Sequence, residues 1–410
     1  MSIEYASAAN AFDAGETGAP PASDPAPTTT RSLGRQAVVD TFSRFGARVG
    51  MAWLLILALC AVFGPFISSS HPIAMKVGGQ WSSPMLRHVT PADVLVLIAA
   101  LMAVVLAVGR WTSFIAGLSL IVAAVIVLAA PVYWLVQPPR NIDYSLYRTL
   151  ASQGKLQAVV YTINRYSPSD RNSADHLNPP GAKHWFGTDN DGADVFSNIL
   201  HASRVALSVG FVATGISVAL GIVIGGLMGY FVGVFDLVSM RFIEIIESLP
   251  RLVLLVTISA LIPPSSRTIY VSMAIIGITG YTTYARFVRA EFLSLRNRDF
   301  VQAAVAAGFT ESRIIFRHLL PNGLTPVLVT TTFGVGAAII YEATLSFLGL
   351  GQVDQPSWGS LLQEARAGGT GFIWWIAMFP GIAIFLTVFS YNLIGEAARD
   401  ALDPKLRKRD

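Results

Sequence analysis

Residues 299–321 read Asp299-Phe300-Val301-Gln302-Ala303-Ala304-Val305-Ala306-Ala307-Gly308-Phe309-Thr310-Glu311-Ser312-Arg313-Ile314-Ile315-Phe316-Arg317-His318-Leu319-Leu320-Pro321. This amphipathic, Arg-bearing segment lies between two apolar runs of membrane length. Asp299 with Gln302 has the spacing of a capping box, so a short helix is expected to begin at Phe300. Gly308 stands where a C-terminal glycine would end that helix. Thr310 is placed to cap a second short helix, which Pro321-Asn322 is expected to terminate. Two stubby helices joined at a glycine make a knob that protrudes from the membrane. An ordinary connector would also fit this stretch taken alone.

Composition supports the membrane setting. Of 410 residues, 53% are hydrophobic and 13% charged, whereas a soluble domain carries about 25% charged. A bilayer is crossed by roughly 20 apolar residues. Stretches free of Asp, Glu, Lys, Arg and His fall at 49–70, 111–139, 205–235, 268–285, 319–341 and 367–395. Two shorter runs, 94–109 and 252–266, complete an expected set of eight spans. The second becomes long enough only if its helix starts near Phe242, with Glu244 and Glu247 at the interface.

An even number of spans puts both termini on one side, and the basic residues say which. Arg31, Arg35, Arg44 and Arg48 precede the first span; Arg399, Lys405, Arg407, Lys408 and Arg409 follow the last. The knob and its approach carry Arg286, Arg289, Arg296, Arg298, Arg313 and Arg317. The positive-inside rule assigns all three regions to the cytoplasm. The net charge of +4 is therefore a topology signal. No basic stripe interleaved with aromatics marks a nucleic-acid surface.

The expected organisation is all-α and polytopic. Residues 1–48 form a cytoplasmic tail whose Ala, Pro, Ser and Thr content reads as disordered, and 49–70 is the first transmembrane helix. Residues 71–136 hold an outer loop and an extra transmembrane hairpin (94–136), and 137–203 a polar cap that is irregular or of small mixed structure. A compact transmembrane unit follows at 204–397, interrupted by the loop 290–325, with a cytoplasmic tail at 398–410. Gly221, Gly225 and Gly229 form two overlapping small-xxx-small pairs that allow close helix approach in lipid, most simply within the chain.

Chemistry-bearing motifs are sparse. Cys60 is the single cysteine, in the first span, so no disulfide or thiol metal cluster can form within one chain. The six histidines are scattered without metal-ligand spacing. There is no G-x-S-x-G, and Gly154-Lys155 runs into Leu156, so no phosphate loop exists and ATP must be handled elsewhere. These absences point to no enzyme and no cofactor. Glu342, near the end of a span, is the ionisable candidate inside the membrane. It has two readings, as a substrate contact in the pathway or as a carboxylate engaged with a partner helix or the outer interface. Glu244 and Glu247 stand within reach of Arg241 and Arg251 as an interfacial ion-pair cluster. His318 reads as a surface residue against a partner, or as a pH sensor.

The knob's spacing, Gln302-Ala303-Ala304, three residues, Gly308, twelve residues, Pro321, resembles the "EAA" loop of ABC-importer permeases. Gln302 replaces the usual Glu. Three further stretches resemble the second permease of dipeptide/oligopeptide/nickel importers. One is His184-Trp185-Phe186-Gly187-Thr188-Asp189-Asn190-Asp191-Gly192-Ala193-Asp194-Val195-Phe196-Ser197, where Thr188, Asp189 or Asp194 can cap the entering helix and Ala193 stands in place of a usual Arg. Another runs from Gly229 through Tyr230, Gly233, Asp236 and Arg241 to Pro250, as a cytoplasmic turn. The last runs from Glu342 through Leu345, Ser346 and Gly351 to Ser357, Trp358, Gly359 and Leu362. Together they cover about residues 184–404. His71-Pro72 through Gly79-Gln80-Trp81 resembles the microcin C/oligopeptide branch.

The resemblance implies a type I ABC permease core in a bacterial inner membrane, transporting peptides or peptide-like solutes. It implies a homologous permease subunit, two ATPase subunits and a periplasmic solute-binding protein as partners, with membrane lipid around them. It also implies that Gln302, Ala303, Ala304, Gly308, Phe309, Arg317, His318 and Pro321 form the ATPase-coupling loop. Rival readings from other classes are an ion-coupled secondary transporter, which would show paired intramembrane acids in broken spans, and a membrane-embedded enzyme.

Overall fold

The computed structural model describes residues 40–77, 79–109, 114–139, 143–153, 158–353, 355–367 and 371–402. The expected tails therefore fall outside it at 1–39 and 403–410, as do the turn at 110–113 and the Gly154-Lys155 pair.

Helix α1 (Phe45–Ile67) leads into a short hairpin, β1 (Ala74–Val77) and β2 (Gln80–Ser82), and a one-turn helix α2 (Pro84–Arg87). The apolar helices α3 (Pro91–Gly109) and α4 (Phe114–Leu135) follow, then α5 (Leu146–Ser152) and β3 (Ala158–Val160). The remaining chain holds α6 (Val195–Tyr230), α7 (Val234–Glu247), α8 (Arg251–Leu261) and α9 (Ile269–Arg296). After these come α10 (Asp299–Ala306), α11 (Glu311–Ile314), a π-helical stretch Ile315–Leu319, α12 (Leu320–Phe347), α13 (Trp358–Ala367) and α14 (Trp374–Leu402).

The centre of the bundle is the seam between α6 and α9. A side chain at Gly221 would sit 2.3 Å from Tyr284 Cβ, one at Gly225 2.3 Å from the Ala285 carbonyl, and one at Gly229 2.6 Å from Phe292 Cβ. Glycines of α9 answer from the other side: Gly277 lies against Ile216, and Gly280 against Ser217. The Ser217 hydroxyl donates to the Gly277 carbonyl at 2.7 Å. Small-xxx-small spacing thus serves packing within the chain, as lipid-embedded helices require where no hydrophobic force draws them together. Helices α12, α14 and α1 pack around this pair.

Among the described residues, five helical segments are long and apolar enough to cross a membrane: Phe45–Ile67, Pro91–Gly109, Val195–Tyr230, Pro326–Phe347 and Trp374–Leu402. Helix α4, 22 residues long, is apolar over Ser119–Leu135, and Arg251–Leu261 is apolar but short. Helix α9 is 28 residues long, about 42 Å at 1.5 Å per residue, and its second half carries Arg286, Arg289, Glu291 and Arg296. The expected run at 252–266 is corrected. Instead of one helix from Phe242, the chain breaks at Ser248-Leu249-Pro250, and α8 alone reaches only about 16 Å. Proline excludes the preceding residue from helix, and that local rule wins over the apolar run.

Outside the bundle, the outer loop and the polar segment form one small mixed cap, with strand order β2-β1-β3 and antiparallel pairing throughout. The Arg148–Asp170 pair at 2.6 Å braces it internally. The α3–α4 hairpin packs chiefly on α1 among the long helices. Its anchor is Asp93, which pairs with Arg204 of α6 at 2.5 Å while that guanidinium also donates to the Ala61 carbonyl at 2.9 and 3.0 Å.

Gly225→Leu is expected to separate α6 from α9, at a cost at or above the roughly 1–3 kcal/mol typical of overpacking, because backbone rather than a flexible side chain is in the way. Gly215→Leu, where a side chain meets nothing within 4 Å, is the matched control. The thermal midpoint of the detergent-solubilised protein should fall for the first and hold for the second.

Candidate functional site

The knob is built as a helical cap on the ends of α9 and α12. Val301, Ala304, Ile314 and Leu319 are buried and share one apolar cluster with Tyr284, Val288 and Phe292 of α9 and Val327 of α12. Phe292 is the joint. It is fully buried, and side chains added at Gly226, Gly229 or Gly323 would press on it at 3.2, 2.6 and 3.2 Å. The residue on which the knob rests is therefore held by glycines from two spans. Sequence reasoning passed over Phe292; the glycines opposite it were the available signal.

Gly308 ends α10 as expected. Its φ is +74°, Phe309 N–H donates to the Ala304 carbonyl at 3.2 Å, and Gly308 N–H to Val305 at 2.9 Å. That pair of bonds is the Schellman arrangement, which needs a left-handed residue at this point. Phe309 is clasped from two sides, by the Arg313 guanidinium at 4.1 Å and by the stacked His318 ring at 5.9 Å.

Three details differ from expectation. The helix begins at Asp299 itself, with Arg298 at the cap position and no side-chain cap bond, so there is no capping box. Gln302 instead turns its amide back to donate to the Arg296 carbonyl at 3.0 Å. Thr310 occupies the cap of α11, but its side chain makes no cap bond. Pro321 does not stop a helix: the backbone runs on from α11 through the π-helical stretch into α12, and Pro321 follows directly on that stretch, a local adjustment that accommodates its missing N–H.

The outward face of the knob carries Phe300, Gln302, Ala303, Val305, Ala306 and Ala307 from α10, and Glu311, Arg313, Phe316 and Arg317 beyond it. Phe316 is 69% exposed. Ala303 and Ala304 do not share a face, since Ala304 packs inward and Ala303 outward. Among the described residues, three ion pairs lie on the helices beside the knob. Arg289 grips Asp236 with two bonds of 2.5 and 2.7 Å, joining α9 to α7. Arg241 pairs with Glu244 at 2.6 Å. Glu247 takes Arg286 at 2.5 Å rather than Arg251, whose guanidinium lies over the Tyr341 ring at 4.6 Å.

At the opposite end, the second motif forms a frame where the cap meets α6. Asp194 caps α6, accepting Ser197 N–H at 2.8 Å, and it also engages Asn164 at 2.8 Å and His184 at 2.9 Å. Thr188 and Asp189 do not cap the helix. The Thr188 hydroxyl donates to the Asp175 carbonyl, while Asp189 accepts Asp191 N–H and Ala193 N–H. Gly187 takes φ +77° and Trp375 closes over it, its indole donating to the Thr188 carbonyl at 3.1 Å. Ala193 is buried.

Glu342 lies buried in the last third of α12. It is 2% exposed and accepts the Ser346 hydroxyl at 2.7 Å. A side chain at Gly359 of α13 would meet the Ala343 carbonyl at 2.2 Å, and one at Gly351 in the preceding loop would meet the Ser346 hydroxyl at 2.0 Å, so both segments press closely on α12 around it. Among the described residues, no group of three or more His, Cys, Asp or Glu could hold a metal ion.

Residues 221–408 match the family described as binding-protein-dependent transport system inner membrane component. The chain is 39% identical over 254 residues to the dipeptide transport system permease protein DppC of Alkalihalophilus pseudofirmus, covering 61% of this chain and 81% of that protein. It is 36% identical over 248 residues to the oligopeptide transport system permease protein OppC of Bacillus subtilis, covering 60% and 80%. It is 37% identical over 257 residues to the glutathione transport system permease protein GsiD of Pectobacterium atrosepticum, covering 62% and 84%. Among solved structures, an inward-facing MetNI methionine ABC transporter overlaps at TM-score 0.39 and 20% identity, over 49% of this chain and 96% of that one.

The frame carries a pH signature. Burial first, then the charges of Asp189 and Asp191, raise the Glu364 carboxyl from an ordinary 4.5 to about 7, against the opposing pull of Arg171. The folded protein thus holds this proton more tightly than the unfolded chain, so stability falls as pH rises from about 4.5 to about 7. Glu364→Gln should raise the thermal midpoint at about pH 8 and leave it unchanged near about pH 4, read by tryptophan fluorescence.

Proposed function

The chain belongs to the family of binding-protein-dependent transport system inner membrane components and is a permease subunit of an ATP-binding-cassette importer; on that premise we propose that it carries peptides or peptide-like solutes across the inner membrane. The relatives named for dipeptide, oligopeptide and glutathione transport support this substrate class. ATPase and binding-protein partners follow from the family in general. In the arrangement we propose, a homologous permease subunit completes the pathway, two ATPase subunits close on ATP, and a periplasmic binding protein delivers substrate to the cap.

The knob is the coupling element in this reading. The observation that carries it is the division of the knob into two faces. Val301, Ala304, Ile314 and Leu319 belong to the core of α9 and α12, while Phe300, Val305 and Phe316 are left exposed beside Arg313 and Arg317. An apolar centre rimmed by charge is the anatomy of a protein contact. Force applied to the outer face reaches the spans through buried side chains, which move as a unit.

Orientation has two supports. The knob's arginines obey the positive-inside rule. The Arg44–Asp400 ion pair ties the start of α1 to the end of α14, and Arg399 stacks over Phe333, midway along α12, which supports both ends of the described chain lying toward the knob side. Both termini are accordingly cytoplasmic, and the cap faces the periplasm. His318 packs on Phe309, so its role is to support the knob's shape.

Phe316→Asp combined with Phe300→Asp changes only partly exposed side chains. Membrane levels and thermal stability should stay near those of the parent. Copurification with the ATPase subunits should drop at least about tenfold, the consequence of losing aromatic anchors worth roughly 2 kcal/mol or more. Parental copurification would remove the coupling reading.

A further inference from the structure

At the membrane face opposite the knob, a groove of about 440 Å³ runs between the last turns of α12, the helix α13 and the first turns of α14. Its walls are apolar, with Ile340 and Phe347 on α12, Leu362 on α13, and Phe372 and Ile384 at the α14 side. The volume lies within the roughly 300–1,000 Å³ of small-molecule sites. The groove follows the spans for about 10 Å, the rise from Ile340 to Phe347. One charged residue stands in its lining. Arg366, in the last turn of α13, is exposed, and no carboxylate among the described residues pairs with it.

Depth and chemistry agree along this groove. The deep end lies among Ile340 and Ile384, inside helices that cross the membrane. The shallow end meets Arg366, beside exposed Phe372 and Trp374, where aromatic side chains mark the level of the headgroups. We propose that the groove is a binding site for one anionic glycerophospholipid of the bilayer. An acyl chain lies between α12 and α14, and the headgroup phosphate is held by Arg366. A guanidinium offers paired donors in a plane that matches two phosphate oxygens, which an ammonium does not. The occupant is thus amphiphilic and anionic: the walls exclude a hydrated solute, and a cation that no described carboxylate engages selects among lipids. A lipid so placed fills the gap between the two helices that α13 bridges, next to Glu342.

The test uses the assembled importer, stripped of lipid in detergent, with phosphatidylglycerol or phosphatidylcholine added back and bound lipid counted by native mass spectrometry. Phosphatidylglycerol should bind roughly tenfold more tightly than phosphatidylcholine, the ratio one charge-assisted hydrogen bond sustains. Arg366→Gln should erase that preference and leave phosphatidylcholine binding unchanged. Thr344→Phe, a half-exposed groove position filled by a larger side chain, should remove both lipids. Equal affinity for the two lipids in the parent, or retention of the preference in Arg366→Gln, would overturn the proposal. So would efficient cross-linking of Phe372→Cys to the homologous permease, because the groove would then be covered by protein.

Discussion

Everything in this molecule hangs on how closely α6 and α9 approach. Water drives no association between helices inside a bilayer, so the seam depends on van der Waals contact and a few buried hydrogen bonds. Gly221, Gly225 and Gly229 on one side, and Gly277 and Gly280 on the other, bring backbones together where any side chain would collide. The same glycines leave room for Phe292, whose ring reaches the start of α12 at Gly323. A rigid helix pair therefore ends in a buried aromatic residue, and the knob is packed upon it. That geometry explains how a small surface loop can move long spans: its inner face is part of their core.

The opposite end is held by polar rather than apolar contacts. Asp194 caps α6 and binds Asn164 and His184, so the cap cannot shift without disturbing the entry to the central helix. Arg204, about two turns further into α6 than Ser197, ties in α1 and the extra hairpin through Ala61 and Asp93. The hairpin thus adds to the core without belonging to it. Glu342 lies near these staples, but its bond to Ser346 stays within α12.

What was legible in the sequence was local. The knob, its glycine break, the cap residue of α6 and the glycine seam all depend on residues a few positions apart, where chain geometry leaves little choice. The failures share a cause, because each needed a partner distant in sequence or a boundary shifted by one residue. Gln302 abandons a capping box for the Arg296 carbonyl because the helix starts at Asp299. Glu247 meets Arg286 rather than its neighbour Arg251, as helices α7 and α9 come side by side. Pro321 lies within a continuing helix where a stop was expected, because the π-helical stretch just before it adjusts the local bonding around the ring. The cap strands, three or four residues long, carry too short an alternation to be read, and pair across some eighty residues of chain. Phe292 and the bidentate Asp236–Arg289 pair emerged only once the helices were in place.

The most direct test of coupling through the knob is substrate-stimulated ATP hydrolysis by the reconstituted importer carrying Gly308→Val. A side chain at Gly308 meets no atom within 4 Å, so the substitution acts through the backbone alone. The left-handed conformation costs a non-glycine residue about 1–2 kcal/mol, more where the side chain is β-branched, and the Schellman turn should give way while the spans hold. The expected result is normal membrane insertion and assembly with hydrolysis no longer stimulated by substrate. Parental stimulation and uptake in that variant would contradict the account.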